Sequence, residues 1–215
     1  MQMLTMSRVR LDDASSIMRT LILIPIIHTR QDMGSLLGQI KQQYVALHGH
    51  AKWREHLKSI DDVWSGIRQM IAALELPYAV VRLYQDGLPV CGKEVDIVKD
   101  LAVQGSKNHQ LLFDLMTQGA CLMGTEDPDL LVQEYQFHKD APGDNNHEHK
   151  REKQGRKLLL QRDGFIAERI NATLAAGEIG LLFLGMAHRV EPQLNPDILV
   201  RHLLPSLRER QEKTQ

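Results

Sequence analysis

The chain has 215 residues, enough for one domain with a substantial core, and its 43% hydrophobic and 25% charged residues match an ordinary water-soluble globular protein. Lysine plus arginine (26) nearly balances aspartate plus glutamate (27), and a net charge of -1 offers no electrostatic footprint for nucleic acid or an anionic membrane. No apolar run approaches the roughly 18 residues of a membrane span, the N-terminal stretch lacks a signal-peptide core, and Cys91 and Cys121 are too few for a disulfide framework. The expectation is a cytoplasmic protein with free thiols, no nucleic-acid partner and no membrane association.

In chain order, the first strand is expected at Leu21–Ile27, where unbroken apolar character suits a strand covered on both faces. Two helices follow, from about Met33 to His48 and from about Ala51 to Leu74, the second with Val63, Ile67, Met70, Ile71 and Leu74 at helical spacing. Pro77 breaks that pattern. Tyr78–Tyr84 reads as a second strand rich in β-formers, and "QDGLPVCG" as a turn. Helices around Glu94–Gln104 and Asn108–Gln118 lead to a short third strand, Ala120–Met123. Asp127 followed by Pro128 predicts the capped start of another helix.

Asp140 to Arg156, "DAPGDNNHEHKREKQGR", is strongly polar and reads as an exposed loop or flap. The next helix carries Ile166, Ile170 and Leu174 at four-residue spacing and stops near Gly177. Ile179–Leu184 is the fourth strand. Asn195 before Pro196 repeats the cap pattern and predicts a last helix. Strands alternating with helices imply a single α/β domain over residues 1–215, with a parallel or mixed sheet covered by helices on both faces.

Such sheets place their sites beyond the carboxyl ends of the strands, and there stand His28 and His188, each closing an apolar run. Helix and strand rises put Arg162 level with the His188 turn: from Arg162 to Ala176 the helix descends roughly 21 Å, and the strand climbs back roughly 20 Å. Asp86 ends strand two and Glu126 ends strand three. Two histidines, two carboxylates and an arginine at one edge suit activation of a water or binding of a divalent metal, with His28, His188 and Glu126 as its candidate ligands. Each residue also has a plainer reading: Asp86 as a turn residue, Glu126 as a helix-dipole partner, Arg162 as one half of an ion pair with Asp163 or a core carboxylate. The "HEH" at His147–His149 lacks the helical spacing of a zinc-protease motif.

The stretch "QRDGFIAERINATLAAGEIGLLFLGMAHRV" resembles the segment R-[ND]-x-x-[FM]-A-x-x-I…G…GxxH of the erythromycin esterase, Tiki, TraB and ChaN-like superfamily. The matches are Arg162, Asp163, Phe165, Ala167, Ile170, Gly177, Gly185 and His188. The family's earlier GxxH corresponds to "PIIH", Pro25–His28, with proline in place of glycine; Asp86 and Glu126 are positional candidates for its acidic residues. The resemblance implies a mixed α/β fold and hydrolysis of an ester or amide, with metal in some branches. The residues support a small hydrolase acting on a small-molecule or peptide substrate, in which His28 or His188 is the base. The alternative is a non-catalytic binding or regulatory protein that keeps the fold and an anion-binding pocket.

Overall fold

A computed structural model describes residues 18–26, 37–139 and 148–204. Five strands form one sheet: β1 (Arg19–Ile26), β2 (Val81–Gln85), β3 (Cys121–Met123), β4 (Ile179–Gly185) and β5 (Ile198–His202). Their order is β3-β2-β4-β1-β5, and every pairing is parallel. The helices are α1 (Leu37–Ala72), α2 (Glu94–Val103), α3 (Lys107–Thr117), α4 (Pro128–Lys139) and α5 (Glu148–Thr173).

The apolar runs are continuous because both faces of the sheet are buried. Alternate side chains diverge: Ile22, Ile24, Ile26, Leu181 and Phe183 meet Ile60, Trp64 and Ile67 of α1, Val98 of α2 and Leu112 of α3. On the other face Leu21, Leu23, Leu182 and Leu184 meet Ile166 and Ile170 of α5 and Leu174 just beyond it. Arg19 fastens the amino-terminal end of the sheet. Its guanidinium donates to both carboxylate oxygens of Asp197 at 2.7 Å and to the carbonyls of Asn171 and Leu174 at 2.7 and 3.1 Å, capping the end of α5.

The two helices expected before β2 are present as two arms of α1, broken at Gly49, where φ is 80° and ψ 164°. Tyr44 stacks on His56 with ring centroids 5.1 Å apart. Twelve residues of straight helix would separate their backbones by roughly 18 Å, so the chain bends sharply at this glycine. The Asp127 cap is also as expected: its Oδ1 accepts from the amides of Asp129 and Leu130 at 2.7 and 3.1 Å, and Pro128 opens α4.

Two expectations need correction. The polar stretch 140–156 is not loop throughout: α5 already begins at Glu148, and residues 140–147 lie outside the described residues. Its Glu, Lys and Arg residues are good helix formers, and Arg156 pairs with Glu152 at 3.2 Å; an all-polar turn of helix leaves no hydrophobic period to read. The expected last helix is strand β5 instead. Asn195–Pro196 forms a turn, with the Ile198 amide donating to the Asn195 carbonyl at 3.0 Å, and the β-prone Ile198–Leu199–Val200 then pairs with β1. No described helix is long and apolar enough to cross a membrane.

Gly124, at the end of β3, sets the spacing of the site-bearing loops. A Cβ there would stand 2.8 Å from the Val90 Cα and 3.1 Å from the Pro89 carbonyl, both backbone atoms. Gly124→Ala should therefore cost roughly 1–3 kcal/mol in chemical denaturation. A change smaller than a few tenths would show that the two loops separate freely.

Candidate functional site

The carboxyl ends of β3, β2 and β4, three neighbouring strands, each release a loop that turns a polar side chain inward. Asp86 directly follows β2. Thr125 and Glu126 follow β3, and their amides donate to the Leu88 carbonyl at 3.0 Å, so the two loops run side by side past the sheet edge. His188 sits in the turn after β4, its amide donating to the Gly185 carbonyl at 3.1 Å. Above them passes α5, which contributes Arg162 and Asp163; Arg169, lower on the same helix, donates to the Gly124 carbonyl at 3.2 Å and clips α5 to β3.

Arg162 is the hub. It is only 3% exposed, and each of its three guanidinium nitrogens is bonded to a carboxylate. Nε donates to Glu126 Oε2 at 3.0 Å, Nη2 donates to Glu126 Oε1 at 2.5 Å and to Asp86 Oδ1 at 2.7 Å, and Nη1 donates to Glu134 of α4. The guanidinium thus lies level with the strand ends, as the rise of helix and strand requires. It meets Asp86, Glu126 and Glu134, while Asp163 belongs to the histidine.

His188 is clamped at both ring nitrogens. Nδ1 lies 2.6 Å from Asp163 Oδ1, and Nε2 lies 3.4 Å from Asp86 Oδ2. Asp163 also accepts the Arg189 amide at 2.9 Å, and Asp86 Oδ2 accepts the Gly185 amide at 3.0 Å, which fixes both carboxylates relative to the turn. A carboxylate on the Nδ1 side sets the orientation of the ring.

The titration behaviour follows from these contacts. Burial pushes the His188 pKa down, but its bonds to Asp163 and Asp86 and the Asp86 charge outweigh that and raise it to about 9. Burial pushes Asp86 upward; the His188 bond and charge, then Arg162, outweigh it and hold the carboxyl well below the usual range. For Glu126 burial prevails: together with the Asp86 charge it raises the pKa against the pull of Arg162. Burial also disfavours the charged Arg162, but Glu126, Asp86 and Glu134 more than compensate and keep it protonated.

Of the five site residues expected from sequence, Asp86, Glu126, Arg162 and His188 come together here. His28 lies outside the described residues; β1, which leads toward it, pairs with β4 up to Ile26 opposite Gly185. Asp163 and Glu134 complete the cluster. Asp163 carried a signal, as the residue beside Arg162 in the resembling segment; Glu134 carried none, being one more charged residue on an amphipathic helix.

Asp86, Glu126 and His188 each offer a ligand atom within 4.8 Å of the other two, and all three are buried. Two carboxylate oxygens and an imidazole nitrogen are a donor set that suits a divalent cation. Four carboxyl groups surround two cations, Arg162 and His188, which also favours an added positive charge over an anion. No family model, curated protein or solved structure matches the chain.

Two measurements check this electrostatic account. Arg162→Ala leaves three carboxylates without their cation and should lower stability by roughly 3 kcal/mol or more in denaturant; a loss below about 1 kcal/mol would mean the carboxylates do not need it. His188 has a folded-state pKa above its unfolded value of about 6.5, so its contribution is complete below pH 6.5 and disappears as pH rises through about 9. The wild-type melting temperature should fall across that window more steeply than that of His188→Gln; parallel curves would contradict the clamp.

Proposed function

We propose that the chain is a hydrolase of an ester or amide bond in a small molecule or peptide, acting at the Asp86–Glu126–His188 cluster. The observation that carries this reading is the convergence of three chemically capable groups, each delivered by a different strand-end loop, within 4.8 Å and out of water. A fold does not need such a cluster. Apolar side chains of similar volume stabilise an interior as well as buried ion pairs or better, whereas groups with perturbed titration gather where chemistry is done. The resemblance of the segment from Arg162 to His188 to the esterase-containing superfamily points the same way.

In this reading His188 is an acid. With a pKa of about 9 it carries its proton at neutral pH, and Nε2, 3.4 Å from Asp86, is the less tightly held nitrogen. Glu126, whose proton affinity burial raises, takes a proton from the attacking water. His188 returns one to the departing oxygen or nitrogen, and Asp163 keeps the imidazolium in place. Arg162 is a positioning residue that holds Asp86 and Glu126 side by side. With His188 deprotonated instead, Asp86, Glu126 and His188 Nε2 would hold a divalent ion, which would supply a water of lowered pKa in place of the acid step. The carboxylates around Arg162 weigh against the alternative, a non-catalytic pocket for anions.

The test is an assay on p-nitrophenyl acetate and on a chromogenic peptide amide, with chelator and with added zinc or manganese. His188→Gln and Asp86→Asn, checked as folded by circular dichroism, should each lower kcat/KM by roughly 100-fold or more. Activity that survives both substitutions, or no activity on either substrate class under any metal condition, would overturn the assignment.

A further inference from the structure

His188 divides two unlike spaces. On its β2 side lies the charged cluster; on its β1 side, above the ends of β1, β4 and β5, lies a cavity of about 360 Å³. The cavity walls are Leu23 and Pro25 of β1, Leu184 of β4 and Val190 of the following turn, with His188 itself among the lining residues. Its far side carries His202 and Glu191, which lie 3.4 Å apart. Met186 also lines it and is 70% exposed, a long flexible apolar side chain standing in solvent at the mouth.

We infer that this cavity is a subsite for an apolar acyl or alkyl chain, placing the bond beside that chain at His188. The inference rests on the hydrolase reading and adds the substrate class: esters or amides of an aliphatic acid. Three observations support it. The walls are mainly aliphatic, with Arg189, Glu191 and His202 as polar groups beside His188, so a hydrocarbon chain gains by leaving water against the aliphatic part. The volume falls within the range of small-molecule sites. The cavity also shares a wall residue with the cluster, so a chain lying in it would bring its carbonyl end to His188, the one titratable group among the described residues that borders both spaces.

The experiment separates binding from turnover. Acetate, butyrate, hexanoate and octanoate are titrated calorimetrically into the full chain, and the matching p-nitrophenyl esters are assayed in parallel. Binding of the acids should tighten by about fourfold per buried methylene until the cavity is full, and kcat/KM of the esters should rise in step. Leu184→Trp, which fills the cavity, should remove the chain-length dependence. Met186→Gln, a neutral change at an exposed position, should weaken octanoate several-fold more than acetate. Octanoate binding no tighter than acetate overturns the subsite, whatever the esterase result. Graded binding of the acids without hydrolysis of any ester upholds the subsite and removes the hydrolase; hydrolysis that ignores chain length does the reverse.

Discussion

The structure around the sheet edge depends on one guanidinium. Arg162 receives carboxylates from the loop after β2, the loop after β3 and helix α4, three parts of the chain that share no other common partner among the hydrogen bonds described. Arginine is suited to this because its planar fork carries several donors in fixed directions and stays charged even when buried. Lysine would offer a single charged point and could not bond Glu126 through two nitrogens. The geometry of Asp86 then propagates outward, since the same carboxylate receives the Gly185 amide and faces His188.

That arrangement divides labour between two buried cations. Arg162 holds carboxylates in place and keeps its proton throughout the accessible pH range, whereas His188 stands where a proton can be given or withheld. Both are supplied by sequence-adjacent logic: Arg162 and Asp163 are neighbours on α5, yet one faces the acids and the other faces the imidazole. A helix turns roughly 100° per residue, so two consecutive side chains can serve two different partners across the same edge.

Much of this was legible in the sequence, and the reasons are specific. Both-face burial makes β1 and β4 read as unbroken apolar runs, Asp127–Pro128 is a cap whose chemistry is local, and the height of Arg162 follows from two fixed rises. The misreadings have equally specific causes. Asn195–Pro196 satisfies a turn as well as a cap, and only pairing with β1, where Arg19 stands opposite Ile198, decides for β5. The first turns of α5 are polar on all sides, so composition outweighed helix propensity. Glu134 looks like any solvent-facing acid until α4 is seen against Arg162. Local chemistry can be read along the chain, whereas partnerships set by tertiary packing cannot.

The strand order carries a consequence for how the chain reaches this state. β1 is an interior strand, yet both of its neighbours, β4 and β5, come from residues 179–202. On the ribosome, β2 and β3 can pair and take on α2 and α3 long before then, while the segment RTLILIPI has no partner on either side. Folding must close loops of about 160 residues before the sheet gains its centre, a high contact order that slows the final step. Throughout that delay the apolar run Leu21–Ile24 exposes two unpaired edges, and nascent-chain binding by chaperones should concentrate on it.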